Sequence, residues 1–146
     1  MNKKYMAFGR IELQEYLPYL KVPTLILSIH TYLDSEPRFL KEKIDNVVHV
    51  EFFEFNDESS SLPVLHAMTK DDAVRMVNAV KQYYDKVDQI IVHCDAGQSR
   101  SVGCIAAIKK WYTEDDDEFF RGTPNMYCYH LLLEEFYRQE IRDNEK

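Results

Sequence analysis

Apolar residues recur along the chain with two spacings, and each spacing predicts a different kind of element. Short runs of β-branched and other apolar residues are typical of buried strands, whereas apolar residues every three or four positions are typical of helices. The predicted strands span residues 4–8, 24–29, 47–55 and 89–92. The predicted helices span residues 10–19, 70–84, 102–112 and 124–142.

Strands and helices alternate in this order, and the alternation predicts one α/β domain. The expected architecture is a central, mostly parallel sheet of about four to five strands flanked by helices, with ligand at the carboxyl ends of the strands. The 146 residues suit a single domain over 1–146, without internal repeats or a low-complexity linker. Two helix starts are predicted: Thr69 with Asp72 forms a capping box, and Thr123 is the N-cap before Pro124.

The overall charge narrows the range of partners. A formal net charge of −7 and a pI near 5.2 argue against nucleic acid or an anionic membrane as a partner. No stretch approaches the roughly 20 apolar residues of a membrane span, and no signal-peptide apolar segment follows the basic start. The three cysteines are an odd count, and a thiol that has to stay reduced in order to react predicts a reducing cytoplasm as the location.

The segment 93–101, with the sequence HCDAGQSRS, carries the candidate chemistry. It lies between the predicted strand 89–92 and the predicted helix 102–112, and a loop that leads into a helix N-terminus favours a bound anion. Cys94 lies inside this loop, and the helix N-terminus and Arg100 favour its thiolate, the form that attacks. Arg100 carries a planar fork that can hold two phosphate oxygens at once.

Other residues of this loop have candidate roles in binding a phosphate. Gly97 allows a positive φ and a close approach of the ligand to the backbone. Ser101 either donates its hydroxyl to the Cys94 sulfur or caps the following helix. His93 either braces the loop or is a satisfied buried histidine without a catalytic part. The expected phosphate ligands are the loop at Asp95, Ala96, Gly97, Gln98 and Ser99 together with Arg100.

The segment 93–101 resembles the signature loop of cysteine-dependent protein phosphatases, and specifically of the dual-specificity branch. A second segment resembles the C-terminal Pro-Asn motif and helix of that branch, and it contains Pro124, Asn125, Leu131, Leu132 and Glu134. The resemblance covers most of the chain from about Thr24 onward and implies a dual-specificity phosphatase-like fold, with His93 and Asn125 supporting the site.

The chain departs from this family in two places. Val102 and Gly103 follow Ser101 where a proline is common in the family. Met126 and Tyr127 follow the Pro-Asn motif in place of the glycine-phenylalanine pair often found there. Neither change affects a residue that would react.

A phosphatase of this kind needs an acid to protonate the departing oxygen, and Asp57 is the predicted acid and base. In the family the acid lies on the loop after a strand such as 47–55. Asp57 stands slightly further upstream of the cysteine than is usual, and residues 59–63 take up the excess. Glu58, Glu54 and Asp72 remain alternative acids.

The resemblance implies hydrolysis of phosphate monoesters on protein side chains through a phosphocysteine on Cys94, without a cofactor or a metal. The expected partner is a phosphorylated protein or peptide, carrying phosphotyrosine and possibly phosphoserine or phosphothreonine. The loop lacks the lysines of related phosphoinositide phosphatases, and Asp95 would repel a polyphosphorylated head group. Two alternatives remain open: a rhodanese-like sulfurtransferase, and a non-catalytic phosphopeptide-binding module.

Three remaining features have simpler interpretations. Cys104 and Cys128 are predicted to be small buried apolar residues, and the alternative is a reversible disulfide with oxidised Cys94. The histidines show no spacing that would gather a metal. The acidic run 114–118 is predicted to be a solvated turn.

Overall fold

The computed structural model describes residues 3–32, 34–57 and 66–145, and helices and strands alternate through them. The strands are β1 (Lys4–Phe8), β2 (Thr24–His30), β3 (Val47–Glu54) and β4 (Gln89–His93). The helices are α1 (Arg10–Tyr16), α2 (Lys70–Tyr83), α3 (Arg100–Thr113) and α4 (Met126–Asn144). Short 3-10 turns cover Leu17–Tyr19, Arg38–Leu40, Tyr84–Lys86 and Asp117–Arg121.

In the described part of the chain, the sheet has four strands in the order β1-β4-β2-β3, and every neighbouring pair is parallel. The predicted α/β class is confirmed, and the strand count is the lower of the two expected. Because all strands run the same way, their carboxyl ends meet at one edge. The loops that follow Phe8, His30, Glu54 and His93 therefore gather at this edge, and β4 lies between β1 and β2.

Helices cover both faces of the sheet, which explains the continuous apolar runs in β2 and β4. Every residue of β2 and β4 is buried. On one face, residues of α2, α3 and α4 form the larger core, which includes Val77, Ile105 and Phe136. On the other face, Leu13 of α1 packs with residues that include Ile91 of β4. Among the described residues, no helix combines the length and the apolar character that a membrane span needs.

Three local predictions were wrong, and the contacts of Asn125 and Asp116 explain two of them. α4 begins at Met126, after Pro124, because Asn125 is the N-cap: its Oδ1 accepts a hydrogen bond from the Cys128 amide at 3.0 Å. α3 begins at Arg100, two residues before the predicted start. Asp116 in the acidic run is buried and accepts a 2.5 Å hydrogen bond from the Tyr129 hydroxyl, so that residue is not simply solvated.

The capping box predicted at the start of α2 is confirmed. The Thr69 hydroxyl accepts from the Asp72 amide at 3.1 Å, and the Asp72 carboxylate accepts from the Thr69 amide at 2.9 Å. The Asp72 carboxylate is therefore engaged by its own helix, which leaves it poorly suited to serve as the acid.

Candidate active site

The loop between β4 and α3 is fixed against the turn that follows β1. The Cys94 amide donates to the Phe8 carbonyl at 3.2 Å, and the Arg10 amide donates to the Asp95 carbonyl at 3.1 Å. Gly97 has a φ of 73°, and a Cβ at this position would lie 2.2 Å from the Gly9 amide nitrogen. Both its conformation and its surroundings therefore require a glycine here.

We expect Gly97→Ala to destabilise the fold by about 1–3 kcal/mol, because the new Cβ adds a backbone clash to a left-handed φ. Urea denaturation measures the free energy of unfolding. Gly122→Ala is the matched control, since a Cβ at Gly122 has no neighbour within 4 Å. Equal midpoints for the two variants would show that the loop does not need its close contact with Gly9.

Cys94 lies at the floor of the loop, where its side chain is 2% exposed. Its Sγ lies 3.2 Å from the Ser101 Oγ, and the Gly97 amide donates to it at 3.3 Å. Both groups can donate to a thiolate, which stabilises sulfur as nucleophile and as leaving group. Ser101 is not the helix cap, because Ser99 occupies the N-cap position of α3 and makes no side-chain cap itself.

Arg100 is nearly buried, and one end of its guanidinium is held in place. Its Nη1 donates to the Phe55 carbonyl at 2.8 Å and to the Thr31 hydroxyl at 3.2 Å, while Nη2 lies 3.4 Å from the Asp95 carboxylate. Nε makes no hydrogen bond with the described residues. The edge formed by Nε and Nη2 therefore keeps donor capacity for two oxygens of an anion.

Thr31 is a site residue that the sequence analysis missed. Its hydroxyl donates to the Asp95 carboxylate at 2.5 Å and accepts from Arg100. Thr31 comes directly after β2, a fully buried strand next to β4. A polar residue at the carboxyl end of such a strand is the signal that would have indicated it.

Asp57 lies against the loop, as the sequence analysis expected. Its Oδ1 accepts from the Ser99 hydroxyl at 2.7 Å and from the Asn125 side-chain amide at 3.0 Å. Its Oδ2 lies 3.4 Å from the Arg100 Nε. Asn125 also donates its backbone amide to the Ser99 carbonyl at 3.0 Å, so it joins Asp57, the loop and the start of α4.

The alternative acids lie elsewhere or outside the described residues. Glu54 pairs with the His30 Nε2 at 3.2 Å at the end of β3. Asp72 caps α2, and Glu58 lies outside the described residues together with the rest of 58–65. Of the three candidates in the described ranges, Asp57 is the one whose carboxylate contacts the loop.

His93 is fully buried beneath the loop. Its Nε2 lies 2.6 Å from the Ser28 hydroxyl, and its Nδ1 lies 3.3 Å from the Cys94 carbonyl. Because a carbonyl only accepts, Nδ1 carries the proton and the Ser28 hydroxyl donates to Nε2. Burial lowers the pKa of His93 to about 4, so the ring is neutral and braces the loop.

We expect this histidine to make the fold sensitive to acid. Unfolding restores its pKa to about 6.5, so the unfolded chain takes up a proton that the native chain refuses. Stability that is complete above pH 6.5 is lost as the pH falls towards 4, by about 3 kcal/mol in total. Urea titrations at several pH values measure this loss.

His93→Gln is expected to flatten that pH dependence, whatever its effect on stability at neutral pH. The matched control is His130→Gln, because His130 is exposed and its ring makes an edge contact with Tyr129. An unchanged pH dependence in His93→Gln would contradict the assignment of a neutral buried ring.

Cys104 and Cys128 are buried free thiols, as predicted. A hydrogen bond with Cys128, followed by burial, raises the pKa of Cys104 well above its usual value. Cys104 is therefore a weak nucleophile in the folded protein. Among the described residues, no group of three or more His, Cys, Asp or Glu side chains is arranged to hold a metal ion.

The parallel four-stranded sheet and its flanking helices form a fold that solved structures of protein tyrosine phosphatases share. The solved structures that share it include Tk-PTP in its active form, with 16% identity and a TM-score of 0.55 over 90% of this chain and 93% of that one. PTPMT1 aligns with 16% identity and a TM-score of 0.53 over 96% and 93% of the two chains. PTPMT1 in complex with PI(5)P aligns with 14% identity and a TM-score of 0.50 over 94% and 91%.

These similarities are similarities of fold, since the sequences have diverged widely. No protein-family model matches the chain, and no curated protein matches it.

Proposed function

We propose that the protein is a phosphatase that hydrolyses phosphate monoesters on protein side chains, phosphotyrosine first and also phosphoserine and phosphothreonine. One observation carries the proposal: a nucleophile, an anion-binding edge and an acid meet at one loop. Cys94 lies below the loop, Arg100 presents Nε and Nη2, and Asp57 lies beside Arg100. The fold shared with tyrosine phosphatases supports the same reaction class.

The first step would transfer the phosphoryl group to sulfur. Arg100 and the backbone of residues 95–99 hold the phosphate oxygens, where charge develops in the transition state. The Cys94 thiolate attacks phosphorus, so that a P–S bond forms as the P–O bond to the substrate breaks. Asp57 gives its proton to the departing oxygen, which leaves as an alcohol or a phenol.

The second step would release the phosphate. A water molecule attacks phosphorus while Asp57, now ionised, accepts the proton of that water. The P–S bond breaks, and the Ser101 hydroxyl stabilises the thiolate that leaves. Arg100 holds the anion through both steps. The scheme uses protein side chains, the loop backbone and water.

The proposed setting follows from the same chemistry. The reaction needs a reduced thiol, which fits a cytoplasmic location. The net charge of −7 makes nucleic acid and anionic membranes poor partners and leaves a phosphorylated protein or peptide as substrate. One structure with the same fold is that of PTPMT1 in complex with PI(5)P. A phosphoinositide is therefore the substrate with which a phosphopeptide should be compared.

Three assays test the proposal on the unmodified protein. We expect steady turnover of an aryl phosphate and no thiocyanate from thiosulfate and cyanide. Thiocyanate formation without phosphate release would instead identify a rhodanese-like sulfurtransferase. Binding of a phosphopeptide without turnover would identify a non-catalytic module. Either result would overturn the proposed reaction.

A further inference from the structure

Asp95 places a negative charge inside the loop that would bind phosphate. Its Oδ2 accepts from the Thr31 hydroxyl at 2.5 Å and lies 3.4 Å from the Arg100 Nη2. The backbone of Asp95 is fixed as well, because its carbonyl accepts from the Arg10 amide at 3.1 Å. The carboxylate is thus held at the edge of the site with its side chain 35% exposed.

A cleft of about 440 Å³ opens beside the loop next to Asp95. It lies between Gly9, Ile11 and Glu12 on one side and loop residues 95–98 on the other. Glu12 is held in place as well, because its Oε1 accepts from the Gly9 amide at 2.8 Å. The described residues that line the cleft include two carboxylates and no lysine, arginine or histidine.

This arrangement limits the negative charge that the site can accept. A phosphate monoester carries close to two negative charges, and Arg100 is the cation whose guanidinium contacts the Asp95 side chain. Arg10 meets the loop through its backbone amide, while its guanidinium donates to the Ser35 carbonyl at 3.0 Å. Asp95 offsets part of the positive charge of Arg100 at close range, so the backbone dipoles of the loop have to supply the rest of the stabilisation of the phosphate. A second anionic group that entered the cleft would meet Asp95 and Glu12 and no cation among the described lining residues, whereas a basic group would be attracted.

We propose that Asp95 is a specificity-determining residue, which restricts the site to a single phosphate and favours a basic over an acidic group beside it. The inference rests on the proposed phosphatase function and names its substrate class: phosphopeptides with lysine or arginine flanking the phosphorylated side chain. Thr31 is the positioning residue that holds the Asp95 carboxylate.

The test compares two substrates with wild type and Asp95→Asn. The substrates are one phosphotyrosine peptide with lysine on both sides of the phosphotyrosine and the same peptide with glutamate there. We expect wild type to favour the lysine peptide in kcat/KM by about tenfold, and this preference to fall with added salt. In Asp95→Asn the ratio is expected to approach one. If the substitution only displaced Arg100, kcat/KM would fall in parallel for both peptides and their ratio would stay at the wild-type value.

A matched control removes a charge far from the loop. Glu140→Gln changes the net charge by the same amount, and Glu140 is exposed on α4, about 20 Å along the helix from Asn125. It is expected to keep the wild-type ratio. If the ratio of kcat/KM for the two peptides changed equally in Asp95→Asn and Glu140→Gln, the net charge of the protein would set the preference. That result would overturn the role of Asp95.

Binding of inorganic anions tests the inference without turnover. Calorimetry on wild type should give tighter binding of orthophosphate than of pyrophosphate, and Asp95→Asn should narrow the difference about tenfold. If wild type hydrolyses neither peptide, the proposed function fails while this comparison still decides the role of Asp95. If turnover is normal and neither ratio changes in Asp95→Asn, the inference alone fails.

Discussion

Cys94→Ser is expected to reduce turnover of an aryl phosphate on the order of 10⁴-fold or more, because a hydroxyl is a far weaker nucleophile at neutral pH than a thiolate. In the native loop, the Gly97 amide and the Ser101 hydroxyl lie within hydrogen-bonding distance of sulfur. Serine fits the same space but would keep its proton. Steady-state assays of phosphate release measure the loss.

Two controls separate lost chemistry from lost structure. Calorimetry should show that Cys94→Ser still binds orthophosphate, because Arg100 and the loop backbone are unchanged. Cys128→Ala removes a different buried thiol and keeps the backbone amide that Asn125 caps, so its turnover per folded molecule should match wild type. Substantial turnover by Cys94→Ser would rule out cysteine as the nucleophile.

Asp57→Asn is expected to lower kcat by about 10²–10³-fold on a substrate with a poor leaving group, because asparagine cannot donate the required proton. On an activated nitrophenyl ester the loss in the first step should be much smaller, since that phenolate leaves without help. Asparagine can retain the contacts with Ser99 and Asn125, which limits the structural effect. The measurement is single-turnover kinetics on both esters.

Glu54→Gln is the control for the acid. Glu54 pairs with His30 at the end of β3 and has no contact with Cys94 or Arg100 among the described hydrogen bonds and ion pairs, so near wild-type rates are expected on both esters. A loss in Asp57→Asn that is equal for good and poor leaving groups would indicate a structural role for Asp57. A loss confined to Glu54→Gln would move the acid to that residue.

The fold could be predicted from the sequence because its signals are local. The run 90–92 is covered on both faces of the sheet and all three of its residues are apolar, and the glycine and serines after the strand mark the loop. The position of Asp57 beside the loop could also be predicted, because this residue closely follows a strand whose end lies near the loop. Its Phe55 neighbour indeed accepts a hydrogen bond from Arg100.

The features that could not be predicted depend on contacts between distant segments. Thr31 meets Asp95 across 64 positions, and no periodicity in the sequence indicates that the two touch. The buried partner of Asp116 is Tyr129 on a different helix, and a run of acidic residues gives no sign of it. At the start of α4, proline at the first position was a plausible signal, but the side chain of Asn125 makes the cap.

The asymmetry of Arg100 is the structural result that sequence reasoning could least provide. The motif predicts that an arginine binds phosphate but not which of its nitrogens are available. Nη1 is anchored by Phe55 and Thr31, so the Nε–Nη2 edge is the one proposed to hold the anion. The same geometry places the Asp95 carboxylate 3.4 Å from Nη2, beside the edge proposed to hold the phosphate.

The central claim is that Cys94 carries the phosphoryl group between the two steps, and rapid acid quench tests it most directly. Asp57→Asn reacted with an activated aryl phosphate should accumulate the intermediate, because the base of the second step is missing. Peptide mass spectrometry is predicted to find one phosphoryl group on the Cys94 peptide, and none in the double variant with Cys94→Ser. Turnover without that adduct, or a phosphoryl group on another residue, would contradict the account.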